Sequence, residues 1–350
     1  MKVLCLLNNE VKPGDRWLWK YLPSNTDELD FVIATGVVDR FKKWGKLITY
    51  YPGFMRAGLE AFLKTRKTKY DLVVAWGGQN GFTYALLRSL FGQTHPPLII
   101  LSFNLQGVLR HFLSLARFGM RSVSRVVVFT PSEVEEYRQL LSLGPEAITY
   151  CAHGWFDPMR WYVPREVQKS DDMSHQNGKF IFASGRSYRD YKTLARAVEG
   201  TEVSVKVSSR PFNLAGFSLP QNMESMGWLD FRVHQDYMYE SSFYVVPLQS
   251  ITFAGGDSSL LAAMSFGRAV VATRAPSTET YLEHGKTGLL VEPGDVEGMR
   301  QAILRLWQNP DEASKMGKEA RRRFEENHTM NKLAERVYDI ALEVHRAQQG

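Results

Sequence analysis

Two separate clusters in this chain combine glycines with charged or hydroxyl side chains. The first is Gly185-Arg186, with Lys192 six residues after the arginine. The second is Gly255-Gly256-Asp257-Ser258-Ser259, directly before a helical pattern that reads LLAAMSFG. Glycine lets the backbone approach a ligand, the N–H groups at a helix N-terminus bind phosphate, and cations pair with phosphate oxygens. The clusters therefore predict a site that holds a diphosphate.

Each polar residue in these clusters also has a purely structural interpretation. Asp257 is either the N-cap of the helix that follows or a carboxylate that hydrogen-bonds to sugar hydroxyls. Ser258 and Ser259 either supplement it or simply begin the helix. Arg186 and Lys192 are either a diphosphate clamp or a helix-start arginine and a surface lysine. In the clamp interpretation, both cations would stabilise charge that grows on a departing diphosphate in the transition state.

The elements that must position these loops alternate between strand and helix along the chain. The apolar runs are VLCLL, FVIA, LVVAW, PLIIL, RVVVF, AITYC, FIFAS, VSVKV, FYVVP, AVVAT and GLLVE. Helical patterns lie near 54–66, 81–91, 107–118 and 132–142. This alternation predicts parallel βαβ units, in which ligands bind after the carboxyl ends of strands. The predicted fold class is α/β, with two doubly wound Rossmann-like domains facing a central cleft.

The polar stretch VPREVQKSDDMSHQNGK (163–179) interrupts this alternation and resembles an interdomain linker. We predict an N-terminal domain over 1–163, a linker over 164–178, and a C-terminal nucleotide-binding domain over 179–329. The remaining segment, 330–350, is expected to be a helix that crosses back to the N-terminal domain. A chain of 350 residues accommodates two such domains.

The stretch from Phe253 to Asp295 resembles the donor pocket of the retaining glycosyltransferase family 4, which has the GT-B fold. The pattern Ala-Ala-Met-Ser-Phe-Gly (262–267) is similar to the family's Glu-Ala-Met/Leu-Ala-x-Gly, and Gly185, Arg186 and Lys192 resemble its Gly-Arg-…-Lys element. The resemblance implies transfer of a hexosyl unit from a UDP- or GDP-sugar to an acceptor hydroxyl, with retention of configuration. It also implies a front-face reaction that needs no metal and no enzymatic nucleophile.

The resemblance assigns roles to individual residues. Arg186, Lys192 and Asp257 are the catalytic candidates. The donor-binding candidates are Gly185, Gly255, Gly256, Ser258, Ser259, Met226, Gly227 and Glu279, with Met226 and Gly227 beside the base. Trp228, which follows them, is expected to be a core residue.

Two features of the family are missing. Its two glutamates, eight positions apart, correspond to Ala254 and Ala262, so Asp257 would replace a carboxylate only in part. A family histidine near the end of PLIIL is also absent, since Ser102-Phe103-Asn104 stands there. The acceptor-side candidates are Asn9, Asn104, His111 and His153. A glycan, a lipid-linked molecule or a small molecule would be the acceptor.

The sequence leaves two other classes of protein open and disfavours a third. The two alanines favour a non-catalytic GT-B subunit that binds a nucleotide or a partner protein. A GT-B epimerase or phosphorylase is the second alternative. A Rossmann dehydrogenase is disfavoured, because Gly77-Gly78-Gln79-Asn80-Gly81 lacks the G-x-G-x-x-G spacing.

The net charge of +6 is concentrated in the N-terminal half. Residues 1–165 contain 21 Lys and Arg against 13 Asp and Glu, whereas the remainder contains 22 against 24. Basic stretches lie at 40–46 and 64–69 and at Arg110, Arg117, Arg121 and Arg125. They indicate either a solvated basic face or contact with an anionic membrane surface. No nucleic-acid motif is present, and two cysteines without metal spacing suit a reducing cytoplasm. The expected location is cytoplasmic, either free or peripheral at a membrane.

Overall fold

The computed structural model describes residues 1–8, 15–23, 25–34, 51–103, 112–160 and 179–349. Within it the chain divides into two compact units. The first comprises Met1–Ala152 and Leu333–Gly350, and the second comprises His153–Lys332. The predicted linker, 164–178, lies outside the described residues.

The first unit is built on a parallel sheet of six strands. They are β1 (Lys2–Leu7), β2 (Glu28–Ile33), β3 (Leu72–Trp76), β4 (Leu98–Leu101), β5 (Arg125–Val128) and β6 (Ile148–Tyr150). The sheet order is β2-β1-β3-β4-β5-β6. Leu4, Cys5 and Leu6 are completely buried, because helices cover both faces of a parallel sheet. This double burial is why the strands appear in the sequence as continuous apolar runs.

Helices of the first unit follow the predicted pattern. They are α1 (Tyr51–Lys67), α2 (Gly78–Leu90), α3 (Leu113–Met120) and α4 (Ser132–Leu141), and the last helix of the chain, Met330–Arg346, contributes most of its length to this unit. Each of the helices α1 to α4 contributes side chains to one apolar core, among them Phe54, Tyr84, Met120 and Tyr137.

The second unit repeats the architecture with another six-stranded parallel sheet. Its strands are β7 (Ile181–Ser184), β8 (Val205–Ser208), β9 (Met223–Ser225), β10 (Tyr244–Val246), β11 (Val270–Thr273) and β12 (Gly288–Val291). The order is β12-β11-β10-β7-β8-β9, so the chain reverses direction across the sheet between β7 and β10. In open α/β sheets this switch point is where a crevice for ligands opens. Topology therefore selects the loops after β7 and β10.

Helices cover both faces of the second sheet. They are α5 (Tyr191–Val198), α6 (Phe231–Glu240), α7 (Asp257–Ser265), α8 (Pro276–Tyr281), α9 (Val296–Gln308) and α10 (Pro310–Asn327), and the helix at Met330–Arg346 is α11. One core contains Val207, Val245 and Trp307, and the other contains Phe182, Met264 and Phe324. Apolar side chains therefore cover both faces of the second sheet.

Two details differ from the sequence-based expectation. Strand β9 was not predicted, because it has only three residues and two of them are exposed. Residues 153–160 group with the second unit, although the predicted N-terminal domain extends to 163. Hydrogen bonds explain this, since the Trp155 N–H donates to the His328 carbonyl (2.7 Å) and the His153 N–H donates to the Tyr281 hydroxyl (3.2 Å).

Gly317 is expected to be essential for packing within the second unit. It lies on α10, and a Cβ there would overlap the Gly267 carbonyl oxygen and lie 3.0 Å from the Ala269 nitrogen. Because both contacts are backbone atoms, the Gly317→Ala variant can accommodate the added methyl group only if a helix moves. We expect a loss of about 2 kcal/mol or more in unfolding free energy. Chemical denaturation measures it. Gly144→Ala is the control, since that site is open and has a φ of −67°; equal losses in both variants would contradict the packing argument.

Candidate functional site

The loops that follow β7 and β10 carry the two clusters that the sequence singled out. The β7 loop contains Gly185, Arg186 and Arg189, and the β10 loop leads through Gly255 and Gly256 into α7. The two loops lie at the switch point of the sheet. The fold therefore brings together residues that are far apart in the sequence.

Arg189 connects the two loops and was not predicted from the sequence. Its side chain is buried, and its Nε donates to the Ser184 carbonyl (3.0 Å) and its Nη1 to the Ser187 carbonyl (2.9 Å). Its Nη2 donates to Ser259 Oγ at the start of α7 (2.9 Å). The guanidinium occupies the space where a Cβ of Gly185 would lie, and Gly185 has a φ of +128°. Glycine at 185 is thus required by Arg189 packing as well as by backbone conformation.

Helix α7 begins directly after the β10 loop. Gly256, with a φ of +80°, holds the cap position, and Asp257 is the first helical residue. Asp257 is therefore not the N-cap, and one of its two sequence interpretations is wrong. Ser277 fixes the loop before the helix, because its Oγ donates to the Gly255 carbonyl (2.5 Å). A helix N-terminus of this kind attracts negative charge.

Asp257 is paired with His153, which the sequence had placed among the acceptor-side candidates. Asp257 Oδ2 lies 3.1 Å from His153 Nδ1, and the two side chains are 19% and 10% exposed. His153 belongs to the same compact unit as Asp257. The structure thus places His153 beside the carboxylate of Asp257.

The pKa of Asp257 is lowered below its ordinary value. Burial is the largest influence and opposes ionisation, but it is outweighed by the hydrogen bond and charge of His153, the Ser258 N–H and the charge of Arg189. Asp257 is therefore an ionised carboxylate between two basic side chains. An ionised carboxylate accepts hydrogen bonds strongly, which suits binding of sugar hydroxyls.

His153 is itself fixed from three sides. Its backbone N–H donates to the Tyr281 hydroxyl on α8, and its carbonyl lies 3.2 Å from His328 Nδ1 at the end of α10. The Tyr281 and His328 rings meet edge to face at 5.1 Å. Tyr281 and His328 thus hold the backbone of His153, and Asp257 contacts its imidazole.

Arg186 lies over an exposed tryptophan. Its guanidinium carbon is 5.8 Å from the Trp228 ring centroid, and that of Arg210 is 4.9 Å from the same ring. Trp228 is 47% exposed, so its expected place in the core is wrong. It follows the short strand β9, whose edge position leaves the next residues in solvent. Arg210, which follows β8, was not predicted from the sequence, because a lone arginine after a strand has no distinctive pattern.

Met226 and Gly227 lie beside this cation–aromatic group. The Met226 N–H donates to the Val207 carbonyl (2.8 Å), and the Gly227 carbonyl accepts from the Ser209 N–H (3.0 Å). Both are half-buried. They follow β9 at the same edge as the other loops, and their role at the base stays a prediction.

Lys192 and Glu279 are exposed. Lys192 lies on α5 between the buried residues Tyr191 and Thr193. Glu279 accepts from Arg274 Nη1 (2.7 Å), and the same arginine donates to Glu292 (2.7 Å). An arginine that bridges two carboxylates is a surface ion-pair arrangement. The predicted roles of Lys192 and Glu279 toward a ligand stay predictions.

Three of the predicted acceptor-side residues lie outside the described residues. They are Asn9, Asn104 and His111. Ala262 is buried in the core of the second unit. Among the described residues, no three His, Cys, Asp or Glu side chains lie close enough to hold a metal ion.

Another buried polar group lies beneath the β7 loop. Ser184 Oγ is 2.7 Å from His234 Nε2 and 2.5 Å from the Tyr244 hydroxyl. Burial lowers the pKa of His234 to about 4, so this imidazole is neutral at ordinary pH. No local sequence pattern indicates this group, because its members come from three separate elements.

Part of the second unit matches a known protein family. Residues 200–309 match the family model described as Glycosyl transferases group 1. A stretch covering 40% of this chain is 28% identical to the D-rhamnosyltransferase WbpZ of Pseudomonas aeruginosa. That stretch covers 38% of the relative, so the chain spans well under two thirds of its length. The second unit therefore contains a group 1 glycosyltransferase domain.

Solved structures match over nearly the whole chain. Sucrose-phosphate synthase from Thermosynechococcus elongatus has a TM-score of 0.76 over 99% of this chain and 100% of that one, with 17% identity. HepE from Anabaena, solved in complex with UDP, has a TM-score of 0.70 over 98% and 100%, with 13% identity. At such identities the likeness establishes the fold alone. The fold is the two-domain GT-B architecture, which confirms the predicted fold class.

Proposed function

We propose that this chain, whose second unit contains a group 1 glycosyltransferase domain, transfers a hexosyl unit from a UDP- or GDP-linked sugar to an acceptor hydroxyl with retention of configuration. The observation that carries the proposal is the connection of the β7 loop to the α7 N-terminus through Arg189 and Ser259. This connection lies at the switch point of the second sheet, and its α7 end falls within residues 200–309, which the family model matches. The UDP complex of HepE supports a nucleotide as the ligand of such a fold.

In this proposal the diphosphate lies between the N–H groups at the start of α7 and the guanidinium of Arg186. Departure of a nucleoside diphosphate leaves growing negative charge on the phosphate oxygens. Preorganised donors and cations stabilise that charge without any reorganisation during the reaction. Because Arg189 is already committed to three protein acceptors, Arg186 supplies the positive charge that moves to the ligand.

Asp257 takes the place of a family carboxylate in this scheme. It accepts a hydrogen bond from a hydroxyl of the donor sugar, and His153 keeps it ionised and oriented. The retaining reaction is of the front-face type, so no side chain has to attack the sugar. We propose that it requires no metal ion.

Replacement of Arg186 with alanine is expected to weaken UDP or GDP binding by about tenfold or more, the value of one lost charge-assisted hydrogen bond. Lys192→Ala is the matched comparison, and we expect a smaller effect because Lys192 is exposed on α5. Isothermal titration with each nucleoside diphosphate measures both. Loss of affinity in the Lys192 variant alone would contradict the role given to Arg186.

Turnover distinguishes transfer from the other GT-B activities. The protein is incubated with UDP- and GDP-sugars, with and without a panel of glycan, lipid-linked and small-molecule acceptors. Transfer releases a nucleoside diphosphate and forms a product whose anomeric configuration NMR identifies. An epimerase converts the nucleotide sugar without acceptor, and a phosphorylase requires inorganic phosphate.

A non-catalytic nucleotide-binding subunit is the second candidate. It is favoured by the alanines at 254 and 262, which place no carboxylate in the slots of the two family glutamates. It predicts nucleotide binding without release of product under every donor and acceptor combination. Turnover with any pair removes this candidate.

A further inference from the structure

Helix α1 of the first unit has apolar side chains on its solvent side as well as on its core side. Phe54, Ala57 and Ala61 are buried against the sheet. Met55, Leu59 and Leu63 are 61%, 49% and 49% exposed. These three, hereafter the α1 apolar row, are spaced by four residues and therefore lie side by side along one face of the helix. A single exposed leucine is ordinary, but a row of three large apolar side chains at helical spacing is not.

The end of α2 also has exposed apolar side chains. Leu90 and Phe91 are 61% and 66% exposed. The Phe91 ring contacts the Phe62 ring of α1, with centroids 5.2 Å apart. Phe62 itself is buried in the core. This contact therefore packs the end of α2 against α1, and the α1 apolar row stands by itself.

Cations border the α1 apolar row. Helix α1 contains Arg56, Lys64, Arg66 and Lys67 against one acid, Glu60. Arg56, Arg66 and Lys67 are exposed, and Arg66 lies over the Phe62 ring at 5.6 Å. The ion pair of Lys64 with Asp30 is long, at 3.8 Å. The charge next to the apolar row is therefore predominantly positive.

We propose that this face of α1 lies on an anionic lipid membrane. A helix that places leucines between arginines and lysines has the pattern of interfacial membrane helices. The cations attract acidic headgroups while the apolar row enters the boundary between headgroups and acyl chains. Among the described residues, no helix combines the length and the hydropathy of a membrane span. The inference concerns the first unit and is independent of the proposed transfer reaction.

A polarity-sensitive fluorophore on Leu59→Cys tests the proposal directly. The native thiols, Cys5 and Cys151, are buried, and burial raises the pKa of both, so the new cysteine is labelled selectively. We expect a blue shift and enhanced emission with vesicles of phosphatidylcholine containing about 30 mol% phosphatidylglycerol. Vesicles of phosphatidylcholine alone should give no change. About 0.5 M salt should remove most of the binding.

The same label on Met159→Cys is the matched control. Met159 is 48% exposed and belongs to the second unit, so its emission should not change. In flotation, Leu59→Ser combined with Leu63→Ser should weaken binding to the acidic vesicles by roughly tenfold or more. No blue shift at Leu59, or equal flotation of the double variant, would overturn the proposal. A blue shift without vesicles that follows protein concentration would also overturn it, because the face would then join two copies of the chain.

Discussion

Replacement of Arg189 with methionine is expected to destabilise the second unit strongly and to remove nucleotide binding. Methionine fills most of the volume but removes the donor to the Ser187 carbonyl and Ser259 Oγ and one of the donors to the Ser184 carbonyl, which still accepts from the Tyr244 hydroxyl (3.3 Å). Each lost hydrogen bond from a charged donor contributes about 1–3 kcal/mol, so we expect a loss of at least about 3 kcal/mol. Thermal unfolding measures it. Arg189→Lys should recover only part, because an ammonium lacks the planar fork that reaches three acceptors.

Matched variants distinguish this effect from the effect of removing a surface arginine. Arg300 donates to the carbonyls of Glu199 and Arg196 but lies at the surface, so Arg300→Met should cost about 1 kcal/mol or less. Ser259→Ala removes only one partner of Arg189 and leaves the protein folded. It should weaken nucleoside diphosphate binding several-fold while shifting Tm little. Unchanged nucleotide affinity in that variant would show that the connection between the loops has no part in the site.

Replacement of Asp257 with asparagine is expected to have the largest effect on turnover. The variant keeps the shape of the side chain but loses the charge that contacts His153 and that, in the proposed function, accepts from a donor hydroxyl. We expect kcat/KM to fall by roughly two to three orders of magnitude, the usual effect of removing one preorganised electrostatic group. UDP affinity should stay equal or improve, because a negative charge near the diphosphate is removed. Steady-state kinetics should show the fall in kcat/KM, and titration with UDP should show the equal or higher affinity.

A purely structural role for Asp257 would give the opposite pattern. Activity would then follow stability, and UDP affinity would fall with it. Asp295→Asn is the control, since Asp295 also begins a helix, where it accepts from the Gly298 N–H (2.8 Å), but lies far from the switch-point loops in the sequence and is exposed. It should leave kcat/KM unchanged. His153→Gln should lower turnover less than the Asp257 variant does.

The pH dependence of stability provides a further check on Asp257. Its pKa in the folded protein lies below the ordinary value of 3.8, so the ionised carboxylate stabilises the fold above that pH. This contribution is lost as the pH falls through the folded pKa. The asparagine variant does not titrate at this position. The difference in unfolding free energy between the two proteins should therefore narrow below about pH 4.

Much of the fold could be predicted from the sequence because parallel strands are buried on both faces. Runs such as RVVVF and AVVAT leave no alternative to a central strand, and helical patterns separate them. Strand β9 was not predicted, because it is a short edge strand with exposed side chains and therefore leaves no apolar run in the sequence. The Gly185 and Gly255 loops were predicted because glycine and charge next to a strand end are a local signal.

The sequence by itself determined the two α/β units and the two loops that carry the chemistry, because apolar periodicity and glycine content are local properties. Only the tertiary structure decided which side chains meet there. It placed Arg189 between the loops, His153 against Asp257, Trp228 in solvent between two arginines, and Lys192 on an exposed helix face. These pairings join elements that the chain order separates. The contact of Arg189 with Ser259 arises at the switch between β7 and β10, and this switch is a property of strand order in the sheet.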